Sequence, residues 1–222
     1  MGETIGFNGN YEGYLATSAK GSGPGVIVLQ EWWGLVPHIK DVADRFAGEG
    51  FTALAPDLYQ GDSTTDPSEA GTLMQALNIG ETEKILGQAV ETLLSRPEVS
   101  SKTIGIVGFC MGGQLALFGA SLNRSISACV DFYGIHPKVQ PNFANLNGPV
   151  LGFFAERDAY ASPEAVRALD AELTRLGRPH EFHTYPGTDH AFFNDARPEV
   201  YAAKAAHDAW DRMLAFFRAN VK

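Results

Sequence analysis

The pentapeptide Gly108-Phe109-Cys110-Met111-Gly112 sets a cysteine between two glycines, at the end of an apolar run and the start of a helical one. With serine at its centre, the G-x-S-x-G spacing makes a nucleophile elbow. This sharp strand-to-helix turn strains the nucleophile's backbone and needs glycines so that strand and helix can approach. A thiol there sits at a helix N-terminus, whose backbone N–H groups favour negative charge on the sulfur or on an oxygen under attack. Gly113 adds further room. The competing reading is a tight turn around a packed cysteine, and partners elsewhere in the chain must decide between the two.

A thiol nucleophile needs a base, and the base needs an orienting acid. In the elbow architecture they follow in the order nucleophile, acid, histidine. Among the histidines after Cys110, His207 lies mid-helix beside Asp208 and reads as solvated. His180 and His183 share an expected strand, where an offset of three puts them on opposite faces, so they form no metal pair. His136 precedes Pro137 in a loop. His190, in Gly187-Thr-Asp-His-Ala-Phe192, falls between the last expected strand and the last helix, where the order rule places the base. For the acid, Asp158 closes an apolar strand at the edge where open α/β sheets bind ligands. Asp131, near the end of the preceding strand, is the alternative. Asp57 precedes the nucleophile, Asp189 is too close to His190 in sequence to orient its ring, and Glu156 and Arg157 are expected to pair with each other.

The elements that must hold these residues read as an alternation of strands and helices. Near-continuous apolar runs at 25–30, 51–56, 103–108, 126–133 and 149–155 suit strands buried on both faces of a parallel sheet. The more polar 179–185 suits an edge of the same sheet, and 10–18 alternates like an outer antiparallel strand. Helical periods run over 36–49, 81–94, 115–120 and 164–176, the last behind Ser162 and Pro163 and closed by Gly177; Pro198 is expected to open a final helix to about residue 219. The fold class is α/β, a mostly parallel sheet with helices on both faces, and residues 1–222 read as a single domain without a Pro/Gly-rich linker.

The 222 residues carry 17 Lys and Arg against 26 Asp and Glu, a formal net charge of −9, and no basic run interleaved with aromatics. That excludes the footprint of a nucleic-acid or anionic-membrane partner. The N-terminus lacks a basic segment followed by an apolar one, position 6 is glycine rather than the Ser or Thr of a myristoylation signal, and no apolar run spans a bilayer. Cys110 and Cys129 do not make a disulfide framework in a chain of this size, so a cytoplasmic protein with reduced thiols is expected. Neither a metal constellation nor a phosphate loop is evident, so no metal or cofactor is expected.

With Cys110, Asp158 and His190 in that order, the chain resembles the dienelactone hydrolase family of the α/β-hydrolase superfamily from about residue 25 to its C-terminus. Leu29-Gln-Glu-Trp-Trp-Gly-Leu35 and Ala53-Leu-Ala-Pro-Asp-Leu-Tyr59 carry the resemblance together with the elbow. It implies the α/β-hydrolase fold, hydrolysis of small esters or lactones through a cysteine thioester, and no cofactor. It further implies that Glu31 contacts the resting thiol and that the N–H groups of Met111 and Trp32 form an oxyanion hole. A charged Glu31 among Leu29, Trp32 and Trp33 is costly unless paired. The family's two carboxylate-binding arginines have no counterpart, since no Arg or Lys occurs between Gly50 and Glu83 and position 194 is asparagine. Arg197, placed at the final helix, could reach in. Trp33, Tyr133 and Phe192, with Trp32 and Phe193, suggest an aromatic acyl pocket instead. The 134–148 connection is too short for a cap domain, leaving an open site with residues 60–79 as one wall and a monomer or weak homodimer as the assembly. Hydrolysis of other activated esters or of phosphotriesters is the nearest alternative. A redox-sensing thiol with Cys129 as resolving partner and a non-catalytic binding domain lie further off.

Overall fold

Apolar runs that need cover on both faces receive it here from an eight-stranded sheet between two helix layers. The structure, a computed structural model, describes residues 1–222 other than 135 and 137. The strands are β1 (Glu3–Phe7), β2 (Tyr11–Ala16), β3 (Gly23–Leu29), β4 (Thr52–Pro56), β5 (Val99–Phe109), β6 (Ile126–Phe132), β7 (Val150–Ala155) and β8 (His180–Tyr185). Their spatial order is β1-β2-β4-β3-β5-β6-β7-β8. The β1/β2 and β2/β4 pairs are antiparallel and all the others parallel. The helices are α1 (Pro37–Gly48), α2 (Pro67–Ala76), α3 (Ile79–Ser95), α4 (Met111–Leu122), α5 (Pro163–Arg175) and α6 (Ala203–Asn220).

The pleat sorts the central strands. Val26 and Val28 face a core shared with α1 and α6, whereas Ile27 and Leu29 face one shared with α3 and α4. In α1 the apolar positions Ile39, Val42, Ala43 and Phe46 recur at helical spacing and are fully buried. Phe46 meets Trp210 and Phe217 of α6 with ring centroids 4.8 and 5.9 Å apart, tying that layer together. Ile85, Leu86, Ala89, Val90 and Leu93 do the same for α3. α4, apolar on nearly every side, is the buried helix behind the elbow.

Three elements differ from the sequence expectation. β1 is an added edge strand, joined to β2 through a turn at Asn8 and Gly9 with φ of 49° and 76°. Its outward side chains are polar, so hydropathy hides it. α2 stands within the wall expected at 60–79; the Asp66 side chain caps it by accepting from the Ser68 and Glu69 N–H groups at 2.9 Å, ahead of Pro67. Pro198 does not open the last helix, which begins at Ala203. The Ala202 N–H is drawn back to the Phe192 carbonyl at 2.9 Å, folding residues 198–202 against the loop that carries His190.

The parallel strands end at one edge, and the residues singled out above gather there: Glu31 to Trp33 after β3, Cys110 after β5, Tyr133 after β6, Asp158 after β7 and His190 after β8. Between β6 and β7 the described residues form only a short 3-10 turn, Phe143–Asn145; Ile135 and Pro137 of that connection lie outside them.

Candidate active site

Cys110 adopts φ 55° and ψ −120°, a region that L residues enter only under constraint. Two backbone hydrogen bonds hold it there: its N–H donates to the Phe132 carbonyl at 3.0 Å, and its carbonyl accepts from the Gly113 N–H at 2.9 Å. The flanking glycines are needed for closeness. A Cβ on Gly108 would collide with the Gly112 carbonyl, and one on Gly112 would collide with the Gln30 carbonyl at the end of the neighbouring strand. The sulfur-bearing side chain is left partly exposed, facing a cavity of about 420 Å³.

His190 shares that cavity. Its Nδ1 lies 2.7 Å from Asp158 Oδ2, and the other carboxylate oxygen accepts from the N–H groups of Tyr160 and Ala161 at 2.7 and 2.9 Å. The Asp158 carboxylate is thus fixed on both sides and wholly buried. Burial works to lower the His190 pKa. Hydrogen bonding and charge from Asp158 and the Cys110 sulfur outweigh it, and the imidazole is raised from 6.5 to about 10. Asp131, the alternative acid, lies apart from this pair: its Oδ1 accepts from the Gly134 N–H at 2.7 Å and its Oδ2 has no partner among the described residues.

Burial pushes the Asp131 carboxyl up from 3.8 to about 7, against the Gly134 N–H that favours its charge. The folded chain therefore binds more protons than the unfolded one between these values, and Asp131 costs stability as pH rises through that window. Asp131→Asn removes the cost, so the variant's stability relative to the parent is expected to be greater at pH 8 than at pH 4 in urea denaturation. A difference that does not change with pH would contradict this reading of the buried carboxyl.

Glu31 is buried, not solvated, and burial raises its carboxyl pKa against the lowering influence of His38, Asn194, His190 and Arg197. Its Oε2 accepts from Asn194 Nδ2 at 2.7 Å, while Oε1 has no partner. Among the described residues no hydrogen bond joins Glu31 to the Cys110 sulfur, so the contact implied by the resemblance is replaced here by one to Asn194. Asn194 occupies the position where the family pattern has an arginine, and its amide serves the buried glutamate.

The N–H groups of Trp32 and Met111 donate to no group among the described residues, and Met111, as the first residue of α4, has no intrahelical acceptor. Tyr59 secures the Met111 side chain, its hydroxyl 3.3 Å from the sulfur. Trp32 and Trp33 meet edge-on at 5.0 Å and both line the cavity. Tyr133 and Phe192, expected at the substrate, are wholly buried. The Tyr133 ring lies 5.0 Å from that of His190 and backs the imidazole, Phe192 packs against Tyr133 at 5.4 Å, and neither lines the cavity.

Sequence reasoning missed other parts of the wall. Tyr160 stacks edge-on against His190 at 5.1 Å, whereas Pro67 and Met74 of α2 belong to the wall expected at 60–79. Arg157 does not pair with Glu156. It donates to Asp189 at 2.7 Å and to the Gly187 carbonyl at 2.6 Å. Arg197 lines the cavity from the loop before α6, stacked 5.7 Å over the Trp33 ring. The Asp66-Pro67 start signal could have revealed α2. Nothing in sequence spacing pointed to Tyr160.

Cys129 is fully buried in β6, and both cysteines are free thiols. Cys110 follows Phe109, which registers with Phe132, so Cys129 sits about four residues down the neighbouring strand, or roughly 13 Å along it. Disulfide geometry does not allow that span, which argues against Cys129 as a resolving partner. Among the described residues no cluster of three His, Cys, Asp or Glu could hold a metal ion, and no helix is long and apolar enough to cross a membrane.

The model of the dienelactone hydrolase family matches residues 11–221. A relative from Aquifex aeolicus named "Putative carboxymethylenebutenolidase" is 34% identical, with 100% of both chains covered. A solved structure from Klebsiella pneumoniae titled "Putative Dienelactone Hydrolase" superposes with a TM-score of 0.82 at 32% identity, over 98% of this chain and 97% of that one. A dienelactone hydrolase-like promiscuous phosphotriesterase from metagenomic libraries shares the fold, with a TM-score of 0.89 at 23% identity, over 100% of this chain and 99% of that one.

Proposed function

The chain belongs to the dienelactone hydrolase family, and from that premise we propose that it hydrolyses small carboxylic esters or lactones through a thioester on Cys110. The observation that carries this reading is a thiol on a positive-φ elbow, opening onto the same cavity as a histidine whose Nδ1 is held 2.7 Å from a buried carboxylate.

His190 takes the thiol proton, and the sulfur attacks the substrate carbonyl. The oxygen that becomes negative accepts from the Trp32 and Met111 N–H groups, a service worth roughly 3–4 kcal/mol per donor in enzymes of this kind. As the tetrahedral intermediate collapses, the C–O bond breaks and the alkoxide takes the proton held on His190. A water then gives a proton to His190 and attacks the thioester carbonyl, releasing the acid and returning the proton to the sulfur. Asp158 keeps the Nδ1 proton in place throughout, so that Nε2 is the atom that exchanges with Cys110. Glu31, bonded to Asn194 and not to the thiol, supports the floor of the site and takes no part in these steps.

The aromatic wall and the engaged arginines favour uncharged substrates. Arg157 is already paired with Asp189, and Arg197 with Glu199 at 2.8 Å. Steady-state hydrolysis of p-nitrophenyl acetate tests the reading: many turnovers per chain are expected, whereas a single stoichiometric release of p-nitrophenol without turnover would leave only a reactive thiol.

A further inference from the structure

The cavity above Cys110 has a neighbour across Trp33. A second cavity of about 470 Å³ lies beside it, and the two share Trp33, Pro67 and Arg197 in their walls. The shared wall is anchored. The Trp33 carbonyl accepts from the Thr64 N–H at 3.0 Å, and Gly34 bridges to Ser63 in antiparallel fashion. Arg197 is set over the indole and donates from Nε to Glu199 at 2.8 Å. Buried His38 and Asn194 contribute to the lining of the second cavity, and exposed Thr65 and Ala196 open it to solvent.

An ester has two arms on either side of its carbonyl carbon, and a cavity adjoining the nucleophile's own can take one of them. Charge decides which kind of arm. Arg197 is paired with Glu199, and Arg45 lies 3.7 Å from Asp195. Asp195 also holds His38 Nδ1 at 3.2 Å, and Asn194 is committed to Glu31. A carboxylate entering here would meet Glu199, with the Arg197 guanidinium already engaged. An uncharged chain would meet Val36, Pro37 and Ala196 along its length and the Thr65 hydroxyl near its end.

We propose that this second cavity is a subsite for the longer arm of an uncharged ester, reached past Trp33 and Arg197. The proposal rests on the reading of Cys110 as the nucleophile of an ester hydrolase and adds which esters it prefers. Ala196→Trp and Thr65→Trp fill the cavity from exposed positions without touching Cys110, His190 or Asp158. The test compares kcat/KM for p-nitrophenyl esters from acetate to decanoate, and for alkyl acetates from ethyl to octyl, in the parent and both variants. Acetate turnover is expected to stay within about twofold, while the longest member of one series loses at least ~10-fold, the discrimination a blocked apolar arm produces. In the parent, a p-nitrophenyl monoester of a dicarboxylic acid should be a poorer substrate than its neutral counterpart of equal length. An unchanged ratio of long to short esters in both series, or a preference for the charged arm, overturns the subsite while leaving ester hydrolysis intact. A parent that hydrolyses no ester overturns both.

Discussion

Cys110→Ala is expected to lower kcat for p-nitrophenyl acetate by roughly 10⁵- to 10⁶-fold, the cost of deleting a nucleophile from a site whose members act as a unit. The loss is chemical, not structural. Alanine retains Cβ and the constrained backbone, and the hydrogen bonds that hold residue 110 run through main-chain atoms of Phe132 and Gly113. Circular dichroism and the urea midpoint should therefore stay close to those of the parent. Cys110→Ser keeps an oxygen in place but asks His190 to activate a far weaker acid, so it too should be severely slowed. Turnover above about a tenth of the parent rate in Cys110→Ala would show that the elbow does not carry the reaction.

Asp158→Asn is expected to lower kcat by about 10⁴-fold with little change in fold, and the hydrogen bonds around the carboxylate say why. Oδ1 of Asp158 is claimed by the Tyr160 and Ala161 N–H groups at 2.7 and 2.9 Å. An asparagine must keep its oxygen there and turn its NH₂ toward His190 Nδ1. The imidazole then accepts at Nδ1 and carries its proton on Nε2, the atom that should receive the proton of Cys110. The charge that helps raise His190 to about 10 is lost at the same time. Asp131→Asn should change kcat by less than about tenfold, because Asp131 is bonded to Gly134 and not to His190. A 10⁴-fold loss from Asp131→Asn, with Asp158→Asn nearly silent, would reassign the acid.

Much of this architecture was legible because buried parallel strands leave apolar runs, and because the elbow's glycines are forced by a collision that any side chain would cause. The order of Cys110, Asp158 and His190 was readable for the same reason: strands of an open sheet end at one edge, so residues far apart in sequence arrive together. The preference for Asp158 over Asp131 rests on its place at the sheet edge, while the direction of the His190 ring toward it is not encoded in either strand. Aromatic residues were equally ambiguous. Trp33 lines the cavity while Tyr133 and Phe192, just as aromatic, are buried away from it. β1 escaped notice because its exposed face is polar, although Asn8-Gly9 is a hairpin signal in its own right. The Asn194 contact to Glu31 joins residues 163 positions apart, and no local pattern encodes it.

The most direct test is acid quenching during the first turnover of p-nitrophenyl acetate, followed by intact-protein and peptide mass spectrometry. One acetyl group per chain, on the peptide containing Cys110 and lost again as substrate is exhausted, is the predicted result. Acetyl on another residue, or turnover with residue 110 never acylated, would contradict the thioester mechanism.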